Sequence, residues 1–209
     1  MTVTEAYRRI APVYDTTPNP LLALERRTLL PLLPTLRGLT VADIGAGTGR
    51  WLHHARTAGA HTVGLDLSVE MLAAAPSPRV QADAQALPLR DNCADVVFCA
   101  FTLGYAPYCF GELARITRPG GTVIVTDVHP DAIARGWSRS FRVGATLIEP
   151  AHEKYSIDTL HHPALVRADF IEPHLGTPER AIFTRAGKAE HFDAAAAHPA
   201  IFVALWRKQ

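Results

Sequence analysis

Three glycines spaced two apart, Gly45, Gly47 and Gly49, follow an aspartate, Asp43, in the stretch VADIGAGTGRW at residues 41–51. Glycine adopts positive φ at little cost and lets a ligand approach bare backbone. An apolar run leads in and a helix-like run leads out, so the turn joins a strand to a helix. In open α/β sheets that place faces the crevice at the carboxyl ends of the strands, where ligands bind. Two further carboxylates stand at later strand ends: Asp66 closes HTVGLDLS, and Asp83 lies in QADAQALP. A carboxylate in the place of Asp66 can accept hydrogen bonds from both hydroxyls of a ribose. One in the place of Asp83 can accept from an adenine amino group, with the Ala84 N–H donating to a ring nitrogen. A single strand-end aspartate is as often a turn residue. The ordered set of glycine turn, acid and acid describes a site for adenosine.

The spacing separates two kinds of adenosine cofactor. The dinucleotide fingerprint GxGxxG/A needs a small third residue where the helix closes on the strand. Counted from Gly45 and Gly47, that position holds Arg50. A dinucleotide-dependent oxidoreductase is therefore the weaker reading, and a non-catalytic protein that binds an adenosine cofactor is a further alternative.

The elements that must position these residues alternate in type. TVADIG, HTVGLDLS, RVQADA, ADVVFCAFTL and TVIVTDVHP read as strands. RWLHHARTAG, VEMLAAA (with Ser68 as N-cap) and FGELARITRPGG (with a Pro-Gly-Gly stop) read as helices. Strands this apolar, alternating with helices, predict a parallel sheet covered on both faces. Ahead of the sheet, TEAYRRIAPVY and LLALERRTLL are helical. After it, GWSRSFRVGATLIEPAHEKY breaks the rhythm with a loop and a hairpin, a natural place for substrate-facing structure. SIDTLHHPALVRA is expected as a helix, DFIEPHL and AIFVALWRK as strands, and AEHFDAAAAHPA as a connecting helix or loop.

With 209 residues the chain suits one domain. The expected division is a helical lid at 1–36, a cofactor-binding half at 37–130, and a substrate cap with the C-terminal strands at 131–209. The 21 basic and 20 acidic residues nearly balance, and no run of like charge occurs. That argues against nucleic acid or an anionic membrane as the main partner. No apolar stretch approaches the ~20 residues of a membrane helix, and no signal peptide is expected at the N-terminus. Cys93, Cys99 and Cys109 read as free thiols in a reducing compartment, so a cytoplasmic location is expected. Oligomeric state is left open between monomer and homodimer.

VADIGAGTGRW, VGLDLSVEMLAAA, ADAQALPLRDNCADVVFCAFTL and ELARITRPGGTVIVTD, in this order, resemble the class I S-adenosylmethionine-dependent methyltransferases. The stretch is most similar to the broad group (methyltransferase type 11) that includes the ubiquinone/menaquinone-type enzymes, and AYRRIAPVYD resembles that group's N-terminal lid. The resemblance covers residues 4–130. It implies a Rossmann-like seven-stranded sheet with helices on both faces and an antiparallel last strand inserted beside its neighbour. It also implies site roles: Gly45, Gly47 and Gly49 cradle the methionine end of the cofactor, supported by Asp43. Asp66 takes the ribose, Asp83 and Ala84 the adenine. Ala100 and Phe101 line the sulfonium region, and Tyr14 closes over it.

Methyl transfer from a sulfonium is an in-line displacement in which the protein mainly positions and desolvates. Aromatic faces suit a sulfonium cation, which makes Tyr14, Phe101 and Tyr105 candidates. His129, after TVIVTD, faces the same crevice and is the candidate base; with Tyr105 it is the expected catalytic pair. Trp137, Arg139, Phe141 and Arg142 are the expected substrate residues, since arginines fit carboxylates or phosphates and aromatics fit planar rings. Among the ten histidines, His152, His161 and His162 could converge on the pocket. The absence of HxxxH or a Cys/His cluster argues against a metal. The acceptor is expected to be a small molecule methylated at oxygen, nitrogen or carbon.

Overall fold

In the computed structural model, which describes residues 1–209, the alternation becomes one seven-stranded sheet. Its strands are β1 (Thr40–Ile44), β2 (His61–Asp66), β3 (Arg79–Gln81), β4 (Ala94–Ala100), β5 (Thr117–Val128), β8 (Leu165–Ile171) and β9 (Ile201–Lys208). Their order is β3-β2-β1-β4-β5-β9-β8. The first five run parallel, and β9 is antiparallel to both β5 and β8, inserted between them. Chain order reverses between β1 and β4, so a crevice opens there beyond the strand ends.

Alternate residues of each central strand face opposite sides. Ala42, Ile44, Val97, Cys99, Val123 and Val125 pack in one core; Val41, Val96, Phe98, Ile124, Val203 and Leu205 pack in the other. Both faces are dry, which explains the near-continuous apolar runs of the sequence. Helix α3 (Arg50–Thr57) covers the second face, and its Trp51 stacks on Phe98 with ring centroids 5.3 Å apart. Helix α5 (Phe110–Ile116) covers the first, with Phe110 edge-on to Trp206. Ser68 caps α4 (Val69–Leu72), accepting from the Met71 N–H.

The lid begins with α1 (Val3–Ile10), started by a Thr2/Glu5 capping box. A 3-10 turn over Ala11–Thr16 follows, then α2 (Pro20–Leu29). Ala6 and Ile10 of α1 pack on Ile148 of the hairpin formed by β6 (Phe141–Val143) and β7 (Thr146–Ile148). The N-terminal helices and the hairpin thus share one small apolar cluster.

Three expectations need correction. SIDTLHHPALVRA is not a helix: it holds a 3-10 turn at Ile157–Thr159, and β8 starts at Leu165. Pro163 cannot continue a helical turn, and LVRADFI finds an edge partner in β9. The strand expected in DFIEPHL therefore begins earlier and ends at Ile171. The Pro-Gly-Gly of residues 119–121 lies inside the span of β5, where the pairing with β4 shifts register between Ala94 and Val96. Helix α7 (Thr177–Arg185) was not expected; Glu179 accepts from the Gly176 N–H at its start and pairs with Arg27 of α2 at 2.9 Å. The two short helices α6 (Pro130–Ala134) and α8 (Phe192–Ala196) complete the chain.

Candidate active site

The glycine turn leaves β1 at Gly45. The Gly45 and Ala46 N–H groups both donate to the Leu65 carbonyl at 2.7 and 2.9 Å, and Gly47 N–H donates to Asp66 Oδ2 at 2.7 Å. Gly45 has φ +72°, and a Cβ there would lie 2.0 Å from Thr102 Oγ1. Gly49, the N-cap of α3, has φ +83°, and a Cβ would lie 2.5 Å from Pro76 Cδ. Both positions need glycine for conformation and for space. The turn lines a chamber of about 40 Å³, together with Tyr14, Asp43, Arg50, Ala100 and Phe101.

Asp43 stands behind this turn, almost fully buried. Burial, reinforced by the Glu25 and Asp66 carboxylates and opposed by Arg50, pushes its pKa up to about 7. The folded carboxyl then keeps its proton where the unfolded one has lost it. Between about pH 4 and pH 7 the folded state binds more protons, so stability falls as pH rises through that window. We expect wild type to lose about 2 kcal/mol of unfolding free energy between about pH 5 and pH 8. Asp43→Asn should lose much less. Urea unfolding at both pH values checks this; an equal loss in the variant would contradict it.

Asp66 and Asp83 lie outside that chamber. Asp66 Oδ1 accepts from Ser68 N–H at 2.8 Å, leaving further lone pairs on both oxygens. Asp83 is exposed, and its Oδ1 accepts from Gln85 N–H at 2.9 Å in an Asx turn. Ala84 is half-buried beside it. Leu67, between the two acids at the strand ends, is 45% exposed. A large apolar side chain left to water beside two carboxylates fits the flat face of a base. Sequence reasoning passed over it.

The lid closes on the turn through polar contacts. Thr48 Oγ1 donates to Asp15 Oδ1 at 2.8 Å. Tyr14 lines the chamber, and burial raises its pKa to about 12, so its phenol stays protonated. Glu25 of α2, fully buried, accepts from Arg50, from Trp51 Nε1 at 3.2 Å and from Thr126 Oγ1. Arg50 Nη1 is buried without a hydrogen-bond partner, beside the chamber. Glu25 was missed; the hint was an acid on the apolar stripe of LLALERRTLL. The position of Arg50 in the sequence excludes a dinucleotide; in the fold the same side chain pairs with Glu25.

A second cavity of about 800 Å³ adjoins the first. Tyr14 and Phe101 line both. Phe101 has φ +55°, a conformation disfavoured for a bulky side chain. It is held by its N–H donating to the Thr126 carbonyl at 2.8 Å and its carbonyl accepting from Arg139 Nη1 at 3.2 Å. Tyr105, Trp137, Phe141, Arg139 and Arg142 all line this cavity, so the structure brings the expected substrate residues together. Tyr7 O–H donates to the Tyr105 hydroxyl at 3.1 Å, and the Arg139 guanidinium sits 5.0 Å from the Tyr105 ring centroid. Burial raises the pKa of Tyr105, which suits a hydrogen-bond donor rather than a base.

Two placements differ from expectation. Arg139 is buried and paired with Asp127, so it is not a free receptor for an anion. His129 caps α6: its Nδ1 accepts from the Asp131 N–H at 3.1 Å, and its Nε2 contacts Glu172 Oε1 at 2.8 Å. Both ring nitrogens are engaged, and it lines neither cavity. The geometry gives it a capping role instead of a base. His152, His161 and His162 also line neither cavity, and no group of three His, Cys, Asp or Glu is placed to hold a metal ion.

Residues 42–125 match the family described as a methyltransferase domain. The chain is 34% identical over 148 residues to the malonyl-[acyl-carrier protein] O-methyltransferase of Pectobacterium atrosepticum, covering 66% of this chain and 58% of that protein. It is 33% identical over 135 residues to the demethylmenaquinone methyltransferase of Renibacterium salmoninarum, covering 58% and 56%. It thus spans little more than half the length of these curated relatives. Among solved structures it resembles an S-adenosylmethionine-dependent methyltransferase from Mesorhizobium loti, with a TM-score of 0.67 at 22% identity over 91% of this chain and all of that one. The sheet order, the strand-end site and the matched stretch all centre on one glycine turn: residues 42–125 carry a methyltransferase domain, in a fold shared with S-adenosylmethionine-dependent methyltransferases of known structure.

Proposed function

We propose that this chain transfers a methyl group from S-adenosylmethionine to a small-molecule acceptor by in-line displacement. The observation that carries the reading is the wall shared by the two cavities. Tyr14 and Phe101 border both the glycine chamber and the larger one, so a donor in the first and an acceptor in the second would meet there.

The residues present fit the cofactor. The unpartnered Arg50 Nη1 suits the carboxylate of the methionine end, and the bare backbone of Gly45 and Gly47 lets that end come close. Asp66 would hold the ribose; Leu67, Asp83 and Ala84 would hold the adenine. Bound there, the cofactor supplies an activated methyl group and its own leaving group. At about 40 Å³ the chamber is closed by the lid, so the segment carrying Tyr14 and Asp15 would move aside for entry and then exclude water. Phe101 and Tyr105 would face the sulfonium and the acceptor. The Tyr105 hydroxyl, fixed by Tyr7, would orient the acceptor as a hydrogen-bond donor. His191 and His198 are the cavity residues that could take a proton from the acceptor.

The relatives' names do not agree on one acceptor, and the atom methylated stays open among oxygen, nitrogen and carbon. We assign the chain to the cytoplasm, in keeping with three free cysteines. Turnover of methyl-labelled S-adenosylmethionine against a panel of hydroxylated, amino and carboxylated ring compounds tests the function. Labelled product with at least one acceptor is expected. Tight S-adenosylhomocysteine binding with no turnover across the panel would favour a non-catalytic binding protein.

A further inference from the structure

We propose that the large cavity takes an acceptor bearing a negative charge, a carboxylate, sulfonate or phosphate carried on a flat apolar body. This rests on the methyl-transfer reading and narrows its substrate class. Not one aspartate or glutamate occurs among the 29 residues lining the cavity, although the chain has 20 acidic residues. Four permanent cations do: Arg135, Arg139, Arg142 and Lys188, with His191 and His198 beside them. The chain as a whole carries only +1, so this excess is local.

The cations arrive from separate elements. Arg135 follows α6, Arg142 lies in β6 and Lys188 follows α7. A solvated helix face would put its charges on one element; here three segments bring positive charge to one space. Arg139 is already neutralised by Asp127. Arg135 and Lys188 make no side-chain hydrogen bond or ion pair, and the Arg142 side chain reaches only the Ala145 carbonyl at 3.5 Å. The acids on neighbouring segments have other partners: Glu149 accepts from the Ser138 hydroxyl at 3.1 Å, Glu190 lies 3.4 Å from His191, and Asp193 pairs with Arg180 at 2.5 Å. Three cations facing a partly apolar space raise the local concentration of an anion, and a low-dielectric wall strengthens their pull.

The body of the acceptor follows from the rest of the lining. Tyr7, Tyr105, Phe141, Trp137 and Phe183 line the same cavity, which suits a planar apolar group. A volume of about 800 Å³ is within the range of sites for compact organic ligands. Neither Arg135 nor Lys188 lines the small chamber, so the charge would be recognised away from the sulfonium and the reacting atom would lie at the Tyr14–Phe101 wall.

Two fluorescent probes of one shape test this: 8-anilinonaphthalene-1-sulfonate and the uncharged N-phenyl-1-naphthylamine. Both are titrated, with saturating S-adenosylhomocysteine, into wild type and the Arg135→Gln/Lys188→Gln double variant. Wild type should bind the sulfonate roughly 10-fold tighter than the amine, and added salt should erode only that difference. The double variant should lose roughly 5-fold or more in sulfonate affinity while holding the amine within about 2-fold. Both substitutions are at exposed positions, so the fold should persist. Equal affinity of the two probes for wild type, or unchanged sulfonate binding by the variant, would overturn the proposal. Calorimetry with S-adenosylhomocysteine alone separates the two readings: its failure would remove the methyl-transfer reading whatever the probes show.

Discussion

Asp66→Ala should weaken S-adenosylmethionine binding by roughly 100-fold or more. The carboxylate has two duties. It accepts from Gly47 N–H at 2.7 Å and from Ser68 N–H at 2.8 Å, which fixes the glycine turn against β2. Its remaining lone pairs would accept from the ribose. Hydrogen bonds to a charged group are worth about 1.5–3 kcal/mol each, so losing the ribose contacts alone reaches that factor. Loosening the Gly47 anchor adds to it. Asp66→Asn keeps one acceptor oxygen and the side-chain volume, and should lose roughly 10-fold. Calorimetric titration of both variants checks the ranking. An alanine variant that binds within about 3-fold of wild type would remove Asp66 from the site.

Arg139→Met, with Asp127 left in place, should be the most destabilising single change at the cavity. Asp127 is fully buried and accepts from the Val128 N–H at 2.7 Å and the Gly104 N–H at 3.3 Å in addition to Arg139. Removing one member of a buried pair leaves the other uncompensated, at about 3–5 kcal/mol. For a chain of this length the melting temperature should fall on the order of 10 °C. The Asp127→Asn/Arg139→Met double variant removes both charges and should recover more than half of that loss. The same guanidinium donates to the Phe101 carbonyl and lies over Tyr105. Even the recovered double variant should therefore bind acceptor less well than wild type. Thermal melts of the three proteins decide the matter; a fall of only a degree or two for Arg139→Met would show that the pair contributes little.

The cofactor half could be read from the sequence because its information is local. A strand end, its glycine turn and the next helix lie within about a dozen consecutive residues, and the burial of β1, β4 and β5 on both faces shows directly as apolar runs. The C-terminal third is different. β8 is an edge strand with mostly exposed residues, so it lacks the alternation that marks a half-buried strand, and the helix expected before it was a misreading of that weak pattern. Helix α7 did carry a start mark, Thr177-Pro178 with Glu179 behind them, but its burial depends on Arg27, 152 residues away.

The site divides along the same line. Asp43, Asp66 and the three glycines stand at strand ends, where topology dictates their use. The Glu25 cluster joins Arg50, Trp51 and Thr126 across as many as 101 residues, and no local pattern encodes such a meeting. His129 shows the converse. Its place after β5 made it look reactive, while its actual work depends on Asp131 and on Glu172, 43 residues away. Arg139 lines the larger cavity with a different task, because its partner Asp127 is buried one residue from the end of β5.

The most direct test of the central claim is a calorimetric titration of the wild-type protein with S-adenosylhomocysteine and, separately, with NADH. The account predicts one-to-one binding of S-adenosylhomocysteine at roughly micromolar affinity, about −8 kcal/mol, and no detectable heat from NADH. Binding of NADH without binding of S-adenosylhomocysteine would mean that the turn at Gly45–Gly49 cradles a pyrophosphate, and the methyltransferase account would fall.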